Sequence, residues 1–369
     1  MKITAVRLQR LRLELDPPFL AAWDPVPRRF IEATVVRIET DEGLVGVGSG
    51  DSMDGFEPFI DLFIGQDPMQ ISRHVRTLET IAIHAGRYWP LEAALWDLIG
   101  QVCGQPVANL FGGAATRLPA YASCGELQAP EARAEAALAM RAEGFRALKL
   151  RIHRNSLEEG LAGVRAVRKS VGDSMEIMVD LNQAWRMPGD IEPSLDFNSV
   201  RRATAELQEL AVLWVEEPLP APDIQGLALL RSTTGMRIAG GEMTRTLAEL
   251  LAYLDADVLD VYQPDAVLAV GLSRARLVAE LAQARNRWFT PHTWTNGLGV
   301  LANLHVAAGV GGGPFFEFPY DPPGWTVERR DFLLAEPVQL QPDGCIAVPS
   351  GPGLGAVLDE KALTRLAVA

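Results

Sequence analysis

The chain is poor in cysteine, short of positive charge and without long apolar runs. Its three cysteines (Cys103, Cys124 and Cys345, in 369 residues) share no spacing motif. That excludes a disulfide scaffold and leads us to expect a reducing, cytoplasmic setting. Lys and Arg number 34 against 47 Asp and Glu, a formal net charge of −13. Nucleic acid is thereby excluded as a partner, because neutralising phosphates needs clustered cations. No stretch approaches the roughly 20 apolar residues that span a bilayer, so no membrane partner is expected. The opening MKITAVRLQRLRLEL alternates like a strand and lacks the apolar centre of a secretion leader. Repeats of the solenoid kind are absent as well.

What is present suits a packed globular protein. Hydrophobic residues make up 48% and charged ones 22%, which excludes disorder and a charged scaffold. Residues 3 to 15 and 30 to 39 read as strands, rich in β-branched residues with stretches of period two. The segment between them, DPPFLAAWDPVPRR, reads as a proline-rich loop. Residues 70 to 102 read as helical and stop at a Gly and a Pro. From residue 119, eight short apolar runs alternate with amphipathic helical stretches, the pattern of βα units around a parallel sheet. About 200 residues of such units is barrel-sized. We expect an N-terminal α+β module over 1–118, a barrel over 119–329, and an irregular tail over 330–369 returning to the first module.

The polar residues that end these strands carry the chemistry. Lys149 and Arg151 close the second run, Asp180 the third, Glu216 the fourth and Glu242 the fifth. Asp265 follows the sixth, His292 the seventh and Glu317 the eighth. Successive intervals from Arg151 are 29, 36, 26, 23, 27 and 25 residues, each about one βα unit. In a parallel barrel the C-terminal strand ends meet at one rim, so these groups are expected to converge. Burying so many charges is costly unless they pair or hold a metal. Asp180, Glu216 and Glu242 offer three hard oxygens in an arc, a donor set for Mg²⁺ with Mn²⁺ as a substitute. Glu217 alternates to the other side and is read as structural or as a support behind the ligands. His292 titrates near neutrality and can act as base or acid, with Asp265 fixing its tautomer. His74, His84 and His305 have no partner pattern and are read as packing or surface residues.

In order along the chain, ALWDLIGQVCGQPVANLFGG, KLR, VDLNQ, WVEEP, GGE, QPD, PHTWTNGLG and FFEF together resemble the enolase superfamily, mandelate racemase subgroup, of the acid-sugar dehydratase type. The resemblance covers essentially the whole chain. It implies an α/β protein: a modified TIM barrel, (β/α)7β, with an α+β capping domain built from the N-terminal segment and the C-terminal tail. It also implies Mg²⁺-dependent removal of the proton α to a carboxylate through an enediolate. By position, Asp180, Glu216 and Glu242 match the metal ligands, and Asp265 with His292 matches the His–Asp dyad. Glu317 matches an electrophilic acid, expected to act protonated, and Lys149 a cation for the developing charge. A small carboxylate substrate and a homo-oligomer, dimer or octamer, are expected.

One position departs from the family. The second strand often ends Lys-x-Lys there, the second Lys being a base, but here it ends Lys149-Leu150-Arg151. Arg stays protonated and makes a poor base, so Arg151 is expected to orient a substrate carboxylate or stabilise an oxyanion instead. A single base fits dehydration of an aldonate or aldarate to a 2-keto-3-deoxy acid. The alternatives are a racemase, epimerase or cycloisomerase on a related carboxylate or lactone, and a non-catalytic barrel. Candidate substrate-contacting or supporting residues are Asn182, Trp294, His153, and Trp185 and Arg186 in a long third connection. From the first module come Trp23, with Arg28 and Arg29, and the loop around Met53 as lid elements.

Overall fold

The computed structural model describes residues 1–368. Three antiparallel strands open the chain, β1 (Ile3–Phe19), β2 (Arg28–Thr40) and β3 (Val45–Gly48), in the order β1-β2-β3. β1 outruns its sequence expectation: DPPF belongs to the strand, not to the loop. The register shifts between Glu14 and Phe19 before Phe19 pairs with Arg28. Proline is tolerated at such an irregularity because the ladder needs no N–H there. The helical stretch after residue 70 is two helices, Ile71–His84 and Trp89–Cys103. The second lies flat on β3, where a Cβ at Gly46 or Gly48 would fall 2.2 Å from the carbonyl oxygens of Ala94 or Pro90. Only glycine permits that approach.

Eight parallel strands follow: β4 (Arg117–Ser123), β5 (Ala147–Arg151), β6 (Glu176–Asp180), β7 (Val215–Glu216), β8 (Ile238–Gly240), β9 (Val261–Tyr262), β10 (Trp288–Phe289) and β11 (Phe316–Pro319). Seven helices connect them, Pro130–Glu143, Leu157–Val171, Phe197–Glu209, Ile224–Thr234, Leu247–Asp255, Leu272–Ala284 and Gly297–Val310. The order β10-β9-β8-β7-β6-β5-β4-β11 curls the sheet into a (β/α)7β barrel. No backbone ladder joins β10 to β11 among the described residues; the Thr290 hydroxyl donates to Phe315 O across that seam at 3.1 Å. Several strands are shorter than the apolar runs that announced them, and apolar residues just outside the strands, such as Trp214 before β7, still pack against the sheet. Gly297–Val310 is almost wholly buried and apolar apart from Asn303 and His305, as expected of a helix covered on both sides.

The chain after residue 330 divides its contacts. Strand β12 (Cys345–Ala347) runs antiparallel on β4, and the helix Glu360–Leu366 lies by β1, where Leu11 pairs with Ala367. Buried polar bonds tie the N-terminal layer to the barrel. Trp89 Nε1 donates to Ala269 O at 2.8 Å, and Asn296 Nδ2 donates to Ser49 Oγ at 2.9 Å. No helix among the described residues is long and apolar enough to cross a membrane.

Candidate active site and metal centre

Register builds the site. Parallel pairing sets Arg151 beside Asp180 and Asp180 beside Glu216 at the C-terminal ends of β5, β6 and β7. Glu242 lies two residues beyond β8. Oxygens of Asp180, Glu216 and Glu242 come within 4.8 Å of one another, and all three residues are buried. Lys149 Nζ contacts Glu216 Oε1 at 2.5 Å and Glu317 Oε1 at 2.7 Å. Arg151 pairs with Asp180, donates Nε–H to Cys124 O at 3.0 Å, and lies 4.8 Å from the Trp23 ring. The Trp185 indole donates to Glu242 Oε1 at 2.8 Å, whereas Glu242 Oε2 is buried without a protein partner.

The dyad stands opposite. His292 Nδ1 lies 3.0 Å from Asp265 Oδ2, and His292 Nε2 lies 3.8 Å from the unpartnered Glu242 Oε2. A carboxylate acceptor at Nδ1 places the proton there, leaving Nε2 free toward the cavity. Burial alone would push the imidazole down, but Glu242 and the Asp265 bond hold it up to about 9; a divalent cation on Glu242 would offset that carboxylate's pull and free Nε2 to act as a base. Burial raises Asp180 and Glu242, with Arg151 and His292 opposing. Burial works against Lys149 too, yet Glu216 and Glu317 keep it firmly charged. Four buried carboxylates, Asp180, Glu216, Glu242 and Glu317, thus face two fixed cations, Lys149 and Arg151. The excess negative charge, the clustered oxygens and the orphaned Glu242 oxygen all fit a divalent cation.

A cavity of about 280 Å³ opens above this cluster, lined by Arg151, Asn182, Trp185, Glu242, His292 and Trp294 on the barrel side. Trp23, Arg28 and Asp51 line it from the N-terminal layer. Other candidates lie elsewhere. Met53 is fully buried in the core of that layer with Phe56 and Tyr88, because its backbone N–H bonds to Thr34 Oγ1 and turns the side chain inward. His153 lines a separate surface groove, its Nδ1 accepting from Asn155 N–H at 3.2 Å. Arg186 is spent on the carbonyls of Asn182 and Trp185. Lys149 lies beneath the carboxylates and does not line the cavity.

Two expectations about charge change. Glu317 accepts at both oxygens, from Ser123 Oγ (2.8 Å) and Lys149 at one and Thr293 N (2.7 Å) at the other. Burial pushes its carboxyl up, but Lys149 and His292 override that and hold it ionised, so it is no hydrogen donor here. Arg151 meets Asp180 and Asn182 Oδ1 (3.2 Å) and turns only part of its guanidinium to the cavity. Sequence reasoning missed Gln263, which donates to Glu216 Oε2 at 2.8 Å, and Asn303, which donates to Asp265 Oδ1 at 3.0 Å. Gln263 stands in the QPD motif. Asn303 interrupts a largely apolar helix, and a polar group in such a place needs a partner.

Barrel-rim carboxylates beside a His–Asp dyad, opening to one cavity under an N-terminal layer, place this chain among α/β-barrel proteins with an acidic site at the C-terminal strand ends. The model for "Enolase C-terminal domain-like" proteins matches residues 131–362, and that for the "Mandelate racemase / muconate lactonizing enzyme, N-terminal domain" matches 28–112. The chain belongs to the enolase superfamily, on its mandelate racemase and muconate lactonizing branch.

Among relatives, a 3,6-anhydro-alpha-L-galactonate cycloisomerase of Streptomyces coelicolor is 31% identical, covering 93% of this chain and 96% of its own. A D-galactarolactone cycloisomerase of Agrobacterium fabrum is 29% identical over 99% and 98%. An L-talarate/galactarate dehydratase of Salmonella typhimurium is 27% identical over 91% and 83%. In structure, a Streptomyces coelicolor racemase with bound magnesium superposes with a TM-score of 0.84 at 30% identity, covering 99% of this chain and 100% of that one.

Proposed function

We propose that this enzyme is a Mg²⁺-dependent carbon–oxygen lyase that removes the proton α to the carboxylate of a sugar acid and expels the β-oxygen. The observation that carries this reading is the single base: His292, backed by Asp265, faces the three-carboxylate cluster, and neither cation beside it can take a proton. Asp180, Glu216 and Glu242 would hold Mg²⁺, which when bound polarises the substrate carboxylate as a Lewis acid. His292 Nε2 takes the α-proton, and Asp265 steadies the imidazolium. The electrons of the broken C–H bond form a double bond to the β-carbon as the β C–O bond breaks. The proton on His292 leaves with the departing hydroxyl as water, and the remaining enol tautomerises to a 2-keto-3-deoxy acid. Lys149 keeps Glu216 and Glu317 ionised, while Trp23 and Trp294 screen the cavity from water.

A second reading, cycloisomerisation, draws on the two cycloisomerases among the relatives. The same elimination opens a ring when the leaving oxygen belongs to it, and no water is lost. Proton NMR in D₂O tests both with a panel of five- and six-carbon aldonates, aldarates and their lactones. A keto acid with one α-face exchanging supports the lyase. Interconversion of both α-epimers without keto acid refutes it.

A further inference from the structure

We infer that Asn303 is a positioning residue for the Asp265–His292 dyad, an inference that rests on the proposed role of His292 as base. Asn303 is fully buried in the helix Gly297–Val310, and its side-chain amide is completely used. Its Oδ1 accepts from Ala266 N–H at 2.8 Å. Its two N–H groups donate to Asp265 Oδ1 at 3.0 Å and to Gly299 O at 3.1 Å. Reversing the amide would set N–H against N–H and oxygen against two acceptors, so its orientation is fixed by the network.

The consequence falls on Asp265. Its Oδ1 receives Asn303 Nδ2 together with the backbone N–H groups of Val267 (2.7 Å) and Leu268 (3.2 Å). Oδ1 is thereby filled and Oδ2 is left for His292 Nδ1. The backbone donors come from the loop after β9 and fix the carboxylate along its own segment. Asn303 reaches in from the helix that follows β10, the strand preceding His292. It therefore ties the two halves of the dyad, which come from different βα units, into one rigid piece. An outer partner of this kind acts on catalysis without touching substrate or metal.

Two replacements separate the effects. Asn303→Asp keeps the acceptor for Ala266 but sets oxygen against Asp265 Oδ1; Asn303→Leu fills the space and removes the donor. In the Mg²⁺-loaded protein, the downfield His292 Nδ1–H proton, assigned by its loss in His292→Asn, should shift or broaden in both variants. Turnover of whichever panel acid the native enzyme uses should fall in kcat by about tenfold to a hundredfold. KM and Mg²⁺ affinity should stay within about twofold, since Asn303 contacts neither the cavity nor a proposed ligand. An unchanged resonance overturns the inference. So does a shifted resonance with native kcat, or a loss in which KM and Mg²⁺ affinity move together with kcat. If the native protein turns over no panel acid, the functional reading fails while the resonance still decides the position of Asn303.

Discussion

Replacing His305 with glutamine should remove a defined part of the acid sensitivity of the fold. His305 lies on the same buried helix as Asn303, two residues on, and joins three parts of the chain. Its Nδ1 accepts from Ala108 N–H at 3.1 Å, and its Nε2 bonds Leu354 O at 3.0 Å. A backbone N–H at Nδ1 requires a lone pair there, so the native imidazole is neutral. A second proton would meet that N–H head on. Burial pushes the group down to about 4 despite the Leu354 bond, whereas an unfolded histidine titrates near 6.5.

The sign follows from linkage. The unfolded chain binds a proton at this site that the native chain refuses, so the stabilisation is full above pH 6.5 and drains as pH falls toward 4. At about 1.4 kcal/mol for each pH unit, the native protein loses about 2.5 kcal/mol between pH 7.5 and 4.5 through this residue. In His305→Gln the side-chain amide keeps one of the two bonds and does not titrate. At pH 7.5 the variant should be less stable by about 1 kcal/mol, the net worth of the lost bond. By pH 4.5 the order should reverse. Urea unfolding followed by far-ultraviolet circular dichroism at both pH values measures the difference. Parallel pH dependences for the two proteins would refute the assignment of a neutral, doubly bonded His305.

Mg²⁺ should raise the thermal unfolding midpoint of chelator-treated protein, and Glu242→Gln should weaken that response by about tenfold or more, since one of three anionic ligands is lost. No response to Mg²⁺ or Mn²⁺ would remove the metal centre. His292→Asn should lower α-proton exchange on the order of 10²- to 10⁴-fold while leaving the Mg²⁺ response intact; persistent exchange would move the base elsewhere. Arg151→Met should leave the buried Asp180 with only the more distant Lys149, 3.8 Å away, as an ion-pair partner, so the Mg²⁺ affinity should rise as substrate KM worsens. A variant unchanged in both would show that Arg151 bears on neither.

The eight-unit alternation and the strand-end acids were legible because period and spacing survive folding. A carboxylate at the end of an apolar run stays at the end of a strand wherever the barrel places it. What could not be read were the cross-strand relations. Glu317 looks identical in sequence whether it donates or accepts, and its state depends on Lys149, 168 residues away in the chain but 2.7 Å away in space. Met53 stood in a plausible lid loop, yet one bond from its backbone to Thr34 turns it into the core. The strand extension through Pro17 and Pro18 depends on a local irregularity that composition does not announce. Asn303 carried a signal of its own, a lone amide in an apolar helix, but its meaning needed Asp265 beside it.

The Lys149-Leu150-Arg151 ending is where the chemistry of this chain narrows. Alternation puts both cations on one face of β5, and the structure gives them different partners: Lys149 sits on Glu216 and Glu317, with Asp180 Oδ2 3.8 Å away, and Arg151 pairs with Asp180 at the cavity wall. A lysine at position 151 could be drawn down toward neutrality by burial and serve as a base. A guanidinium cannot, and here burial is outweighed by Asp180 and Glu216, which hold Arg151 even more firmly charged. On the proposed reading, the two faces of a bound α-carbon would be unequal, with the His292 base on one side and a permanent cation on the other. Returning a proton to the second face, as a two-base racemase must, has no donor among these residues. Elimination needs no second base, because one imidazole can collect the proton and release it to the leaving oxygen. That asymmetry is what supports the proposed elimination, whether the leaving β-oxygen departs as water or stays attached as part of an opened ring.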